Sequence, residues 1–117
     1  MNKKSKHHLA TIKSNKIDLL LDSDACLKKI KKTVKEADVT VINHIVHDFK
    51  NGGFTLLFAL AESHISIHTW PEHSSVQLDV FLCNYLNDNS KLAQQIFNEI
   101  CNYFEPSHIE ANSVIRK

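Results

Sequence analysis

In two stretches between residues 64 and 83 the side chains alternate between apolar and polar, and this pattern restricts the fold more than any other feature. Ile65, Ile67 and Thr69 interleave with His64, Ser66, His68 and Trp70, and Val76, Leu78, Val80 and Leu82 interleave with Gln77, Asp79, Phe81 and Cys83. A period of two marks strands with one face on a core. Pro71 separates the two strands. Lys50-Asn51-Gly52-Gly53 is a turn signal between a β-branched run at residues 40–49 and an apolar run at 54–61, which therefore pair as a hairpin. Residues 8–13 and 108–115 are short strand candidates. Residues 22–37 carry Cys26, Leu27, Ile30, Val34 and Ala37 at helical spacing, with Asp22 or Ser23 as N-cap and the lysines turned outwards. Residues 88–104 repeat the pattern through Leu92, Ile96, Phe97, Ile100 and Cys101, with Asp88 or Ser90 as cap and Pro106 blocking continuation. The tight central connections predict an α+β, two-layer sandwich: an antiparallel sheet with two helices on one face. The apolar strands also want cover on the other face, so a second copy is expected to pack sheet to sheet, giving a dimer of four layers, αββα.

At 117 residues the chain suits one domain and is too small to wall in a large cavity unaided. With only two glycines, adjacent in a turn, it cannot build a P-loop or a dinucleotide fingerprint. Residues 1–50 hold eleven lysines against six acids, and five of the lysines crowd residues 28–35. Arg116 is the single arginine, and arginine is the usual reader of phosphate and guanine, so the lysines read as a solvated surface and no nucleic-acid partner is expected. Three cysteines without CxxC spacing suit a reducing compartment, with Cys26 and Cys101 on apolar helix faces as core. No secretory or membrane segment is evident, so the expected location is the cytoplasm, away from membranes.

The densest chemistry lies in residues 62–73, which include three of the eight histidines. An antiparallel strand with one wet face accounts for His64, Ser66, His68 and Trp70 sharing a side. Two chemical readings compete with it. His64, His68, His73 and Cys83 could ligate zinc, although no metal motif is present. Alternatively Ser63 or Cys83 is a nucleophile activated by His64 or His68. Ser63 and His68 have opposite parity, so Ser63 would have to lie at a strand end. Trp70 beside Glu72 could stack on a flat ligand while the carboxylate takes its hydroxyls.

Ala61-Glu62-Ser63-His64-Ile65-Ser66-Ile67-His68-Thr69-Trp70-Pro71-Glu72 closely resembles the self-cleavage segment of the short prokaryotic S-adenosylmethionine decarboxylases, pyruvoyl enzymes of polyamine synthesis. The likeness extends to Leu78-Asp79-Val80-Phe81-Leu82-Cys83 downstream, to His47-Asp48-Phe49 upstream, and in element order to nearly the whole chain. It implies a single decarboxylase domain over residues 1–117, self-cleaved at Glu62-Ser63 into residues 1–62 (β chain) and 63–117 (α chain). Ser63 would become the pyruvoyl group that forms a Schiff base with the substrate amine, with no metal and no pyridoxal phosphate. The resemblance further implies His68 as processing base, Thr55 as its support in place of a serine, Cys83 as proton donor, Phe49 and Trp70 as an adenine-stacking pair, and Glu72 as acceptor for ribose hydroxyls. The implied substrate is S-adenosylmethionine and the implied assembly a homodimer or larger. The alternatives are an arginine or ornithine decarboxylase on the same pyruvoyl scaffold, or a non-enzymatic histidine-rich metal-binding module.

Overall fold

The computed structural model describes residues 4–84 and 88–116. The elements run β1 (Ser5–Lys13), α1 (Ile17–Leu21), α2 (Ser23–Glu36), β2 (Val41–Asp48), β3 (Phe54–Leu60), β4 (Ser63–Trp70), a single 3-10 turn at Pro71–His73, β5 (Ser75–Phe81), α3 (Ser90–Tyr103) and β6 (His108–Arg116). The six strands form one wholly antiparallel sheet in the order β2-β3-β4-β5-β1-β6. The helices cover one face, as the α+β reading expects.

Sequence dictates these elements directly. The Asp22 carboxylate caps α2 by accepting the Ala25 N–H at 3.0 Å, and the helix buries Cys26, Ile30, Thr33 and Val34 while Lys28, Lys31, Lys32 and Lys35 face solvent. Helix α3 begins at Ser90, whose N–H donates to Asp88 at 3.0 Å, and buries Ala93, Ile96, Phe97, Ile100 and Cys101. Alternation in β3, β4 and β5 sends Phe54, Leu56, Phe58, Ile65, Ile67, Val76, Leu78 and Val80 beneath the helices, all nearly inaccessible. Each such side chain contributes roughly 1.5–3 kcal/mol on burial.

Two features go beyond the sequence expectations. The five-residue helix α1 is too short to show a period, yet it drives Leu20 fully into the core, and Thr69 Oγ1 donates to the Leu20 carbonyl at 2.8 Å. Strand β1 lies inside the sheet between β5 and β6, so the first strand of the chain is central. No helix among the described residues is long and apolar enough to cross a membrane.

The helix-free face is ordered in rows by the strand register. One row runs Ile45, Leu57, Ser66, Asp79, Leu9, Asn112 from edge to edge. A second runs His47, Thr55, His68, Gln77, Thr11, Glu110, and a third Asn43, Ala59, His64, Phe81, His7, Val114. This face is mixed in character, with exposed apolar side chains at Ile45 and Leu57 on β2 and β3, at Trp70 on β4 and at Val114 on the far edge strand β6.

Candidate active site

Leu60 pairs with Ser63, so Ala61 and Glu62 alone connect β3 to β4. Two-residue hairpins that match strand twist have positive φ at their first central residue or at both. Here only the second, Glu62, is positive, at φ 63°. Holding a residue with a side chain in that region costs on the order of 1–3 kcal/mol. The strain adjoins the Glu62–Ser63 peptide bond, and Ser63 occupies the strand end that its parity requires.

Ser63 is half-buried, and its Oγ accepts the backbone N–H of Cys83 at 3.0 Å. The Cys83 segment is itself tied down. Its carbonyl accepts from Asn89 Nδ2 at 2.9 Å, the Asn84 N–H donates to Ser5 Oγ at 2.9 Å, and Asn84 Oδ1 accepts the Asn89 N–H at 2.7 Å. Ser5, Asn84 and Asn89 thus position the site, although nothing in their spacing marks them. Ser63 and Cys83 border two openings: a cavity of about 250 Å³ on the helix-free side, shared with Glu62, His64, Phe81 and Arg116, and one of about 340 Å³ on the helix side, shared with Thr40 and Asn89.

Burial and the neighbouring His7 hold the His64 pKa below its ordinary value; Asp79 opposes this and Arg116 adds to it. A neutral imidazole therefore stands next to Ser63 near neutral pH. Burial pushes the thiols of Cys26 and Cys101 up to about 12 and about 11, so both stay protonated in the core, whereas Cys83 is the half-buried thiol at the cavities.

A second constellation lies at the opposite end of β4. Thr55 Oγ1 and His68 Nδ1 are 2.9 Å apart across the β3–β4 ladder. The Trp70 ring centroid lies 5.9 Å from that of His68, and Phe49 meets His47 edge-on at 4.8 Å. Phe49 and Trp70 are 46% and 41% exposed, so their rings are accessible at this end of the sheet. Gly53, at φ 87°, brings the turn after Phe49 against the Trp70 corner: a Cβ there would lie 2.8 Å from the Thr69 carbonyl oxygen and 2.9 Å from Pro71 Cδ. Glu72 is exposed in the 3-10 turn that follows.

The residues singled out from the sequence therefore form two groups. Glu62, Ser63 and Cys83 gather at one end of the face; Phe49, Thr55, His68, Trp70 and Glu72 gather at the other. Ser63 and His68 are five residue steps apart along the strand, which is about 16 Å. The zinc reading finds no support, because among the described residues no three His, Cys, Asp or Glu side chains are grouped to hold a metal.

Residues 6–117 match the family model described as S-adenosylmethionine decarboxylase. The chain belongs to the S-adenosylmethionine decarboxylase family. It is 36% identical over 104 residues to an S-adenosylmethionine decarboxylase proenzyme of a Hydrogenobaculum strain, covering 89% of this chain and 75% of the relative. It is 32% identical over 101 residues to one of Archaeoglobus fulgidus, covering 86% and 87%. Its fold matches the crystal structure of the adenosylmethionine decarboxylase from Aquifex aeolicus with a TM-score of 0.84 at 30% identity, over 97% of this chain and 91% of that one. The residues matched to the S-adenosylmethionine decarboxylase family span both constellations, so family membership applies to the two ends of the face together.

Proposed function

We propose that the chain cleaves itself between Glu62 and Ser63 and then decarboxylates S-adenosylmethionine to the aminopropyl donor of spermidine synthesis, acting as a homodimer whose sites each draw on both copies. The observation that carries this reading is Ser63 Oγ, held by the Cys83 N–H at 3.0 Å, beside a peptide bond flanked by the positive-φ Glu62. In the first step Ser63 oxygen bonds to the Glu62 carbonyl carbon. The C–N bond breaks, the nitrogen keeps its electron pair and gains the hydroxyl proton, and an ester joins the two segments. Rupture releases the strain at Glu62, a contribution on the order of 1–3 kcal/mol toward the barrier.

His68 then removes the Ser63 α-proton, the Cβ–Oγ bond breaks, and the Glu62 carboxylate leaves with the electron pair. Tautomerisation, addition of water and loss of ammonia leave a pyruvoyl group at residue 63. The base role requires the tautomer in which Nδ1–H donates to Thr55 Oγ1, leaving the Nε2 lone pair free. The surroundings of Ser63 suit a pyruvoyl group: a half-buried strand end, a cavity beside it, and a backbone N–H aimed at its side-chain oxygen. Once formed, this group supplies the electron-withdrawing carbonyl that pyridoxal phosphate supplies in other decarboxylases. Around it, the Cys83 thiol returns a proton to the substrate α-carbon, Phe49 and Trp70 enclose the adenine and face the sulfonium charge, and Glu72 accepts from the ribose hydroxyls.

The dimer follows from reach. His68 cannot touch Ser63 across about 16 Å of its own strand. A second copy laid sheet to sheet, with β4 crossing β4 antiparallel, sets the Ser63 end of one copy over the His68 end of the other, twice. The two-fold axis then falls near Ser66, in the row that carries Ile45 and Leu57, 59% and 38% exposed and in need of cover. Sheets stacked about 10 Å apart leave the facing side chains in contact.

The test is mass spectrometry of the denatured protein. Two fragments divided after Glu62 are expected, the second starting with a pyruvoyl group, and Ser63→Ala should remain a single chain. One uncleaved species that persists on incubation of the unmutated protein would refute the reading. Release of labelled carbon dioxide from carboxyl-labelled S-adenosylmethionine, arginine and ornithine in parallel then decides the substrate, with preference for either amino acid overturning the assignment.

A further inference from the structure

The mechanism above leaves the one arginine of the chain without a task. Arg116 ends β6, opposite Ser5 in the ladder with β1, and Ser5 in turn accepts the Asn84 N–H beside Cys83. The guanidinium reaches back along this end of the sheet, its carbon 5.3 Å from the Phe81 ring centroid, and lines the cavity that holds Glu62, Ser63 and Cys83. Among the described residues no carboxylate forms an ion pair with it. Its charge is among those felt at His64, the residue after Ser63. A cation that lines a cavity beside a scissile bond, with no ion-pair partner among the described residues, invites an anion to form there.

The Glu62 side chain lines the same cavity but forms no ion pair with the guanidinium, and its charge does not change in the reaction; two other carboxylates do change charge and could fill that role. The substrate carboxylate must surrender its charge to leave as carbon dioxide, so a fixed cation upon it would favour the ground state and raise the barrier. The main-chain carboxylate of Glu62 behaves oppositely: neutral as an ester, it gains a full negative charge as the Cβ–Oγ bond of Ser63 breaks. A guanidinium stabilises that transition state, and its planar fork suits two carboxylate oxygens. We propose that Arg116 is a catalytic residue of self-processing, stabilising the main-chain carboxylate of Glu62 as it is expelled from the Ser63 ester. The proton lost from the Ser63 α-carbon goes to the base, the electron pair goes to the departing carboxylate, and no further reactant is needed.

This rests on the self-cleavage reading, and the experiment separates the two. Full-length chains made in a cell-free reaction are sampled over time, denatured in acid, and split with hydroxylamine under mild conditions that cut an ester; the fragments are then weighed. The forcing conditions that also cut Asn51-Gly52 are avoided, and that cut would in any case give fragments of different mass. An ester waiting to eliminate yields a second fragment beginning with serine, whereas completed processing yields one beginning with a pyruvoyl group, weighed as its oxime after the hydroxylamine treatment. In Arg116→Ala the ester should accumulate, with elimination slowed roughly 100-fold, the loss typical of one charge-stabilising donor. Arg116→Lys should recover part of the rate, and millimolar guanidinium should accelerate Arg116→Ala but not the unmutated chain. Arg116 is exposed on an edge strand, so both variants should keep their unfolding temperature, and Arg116→Met retains the apolar stem over Phe81 as a packing control. Normal processing in Arg116→Ala and Arg116→Met would overturn the proposal while leaving self-cleavage intact. So would normal processing combined with a raised KM, which would assign the cation to the substrate. Failure of the unmutated chain to cleave would instead remove the reading on which the proposal stands.

Discussion

The hydroxyl of Thr55 has one visible partner, His68 Nδ1 at 2.9 Å, and that contact assigns it a narrow task. In the proposed mechanism the hydroxyl accepts from Nδ1–H, which leaves Nε2 free to take a proton, and the contact orients the ring. General-base catalysis is worth about 10²–10⁴-fold, and a base with the wrong tautomer or a swinging ring retains only part of it. Thr55→Val keeps the shape and deletes the hydroxyl, so its self-cleavage should slow by roughly 10–100-fold, with Thr55→Ser restoring most of the rate. The time course of fragment appearance on a denaturing gel measures this. Equal rates in Thr55→Val and the unmutated chain would detach Thr55 from the mechanism. The side chains in this mechanism were visible in the sequence because a long run, residues 61–72, resembles a known processing segment. Alternation alone left His64, His68, Ser63 and Cys83 as open alternatives, since it assigns faces to side chains but no chemistry. Arg116, Ser5, Asn84 and Asn89 were silent because the contacts that give them roles join residues far apart in the chain, with no period to expose them.

At the scale of the element, β1 shows how a central strand can have a weak pattern. Its inner face offers His8, Ala10 and Ile12, and the imidazole of His8 is buried, stacked on Phe97 of α3 at 5.2 Å with Nε2 lacking a hydrogen-bond partner among the described residues. A histidine at the start of a short candidate strand does not advertise a core position, and the place of β1 between β5 and β6 depends on pairings no local window contains. By contrast β3, β4, β5, α2 and α3 were legible because their burial follows their own periodicity. Burial, with the charges of Lys6 and His7 adding to it, lowers the His8 pKa in the folded chain. The unfolded chain therefore binds the proton first as the pH falls below the ordinary value of 6.5, and stability that is complete above that value is lost on the way down to the folded pKa. His64 acts in the same direction. Urea midpoints should accordingly drop between pH 7.5 and pH 5.5, and His8→Phe, which keeps the ring against Phe97, should show a smaller drop. An unchanged difference in His8→Phe would mean that His8 does not carry this dependence.

At the scale of the whole molecule a distance matters: the residues proposed for one mechanism lie at two ends of one sheet, about 16 Å apart. Hinge bending cannot close that gap, because Ser63 and His68 share a strand whose neighbours on both sides are fully paired. Either the two ends serve separate purposes or a second copy joins them, and the exposed Ile45 and Leu57 between them favour joining. The alternatives differ in a mixed dimer. Ser63→Ala lacks the nucleophile and His68→Ala lacks the base, so each alone should stay uncleaved or nearly so. If sites are shared, a dimer of one chain of each kind contains one complete site, made from the Ser63 of the His68→Ala chain and the His68 of the Ser63→Ala chain. Co-expression should then cleave the His68→Ala chain and leave the Ser63→Ala chain whole, which different affinity tags would reveal on a gel. With random pairing of equal amounts, about half of all dimers are mixed, so about half of the His68→Ala chains should be cut if dimers do not exchange. No cleavage in co-expressed chains that demonstrably co-purify would mean that each copy processes itself, and His64, the neutral imidazole beside Ser63, would become the first residue to examine as base.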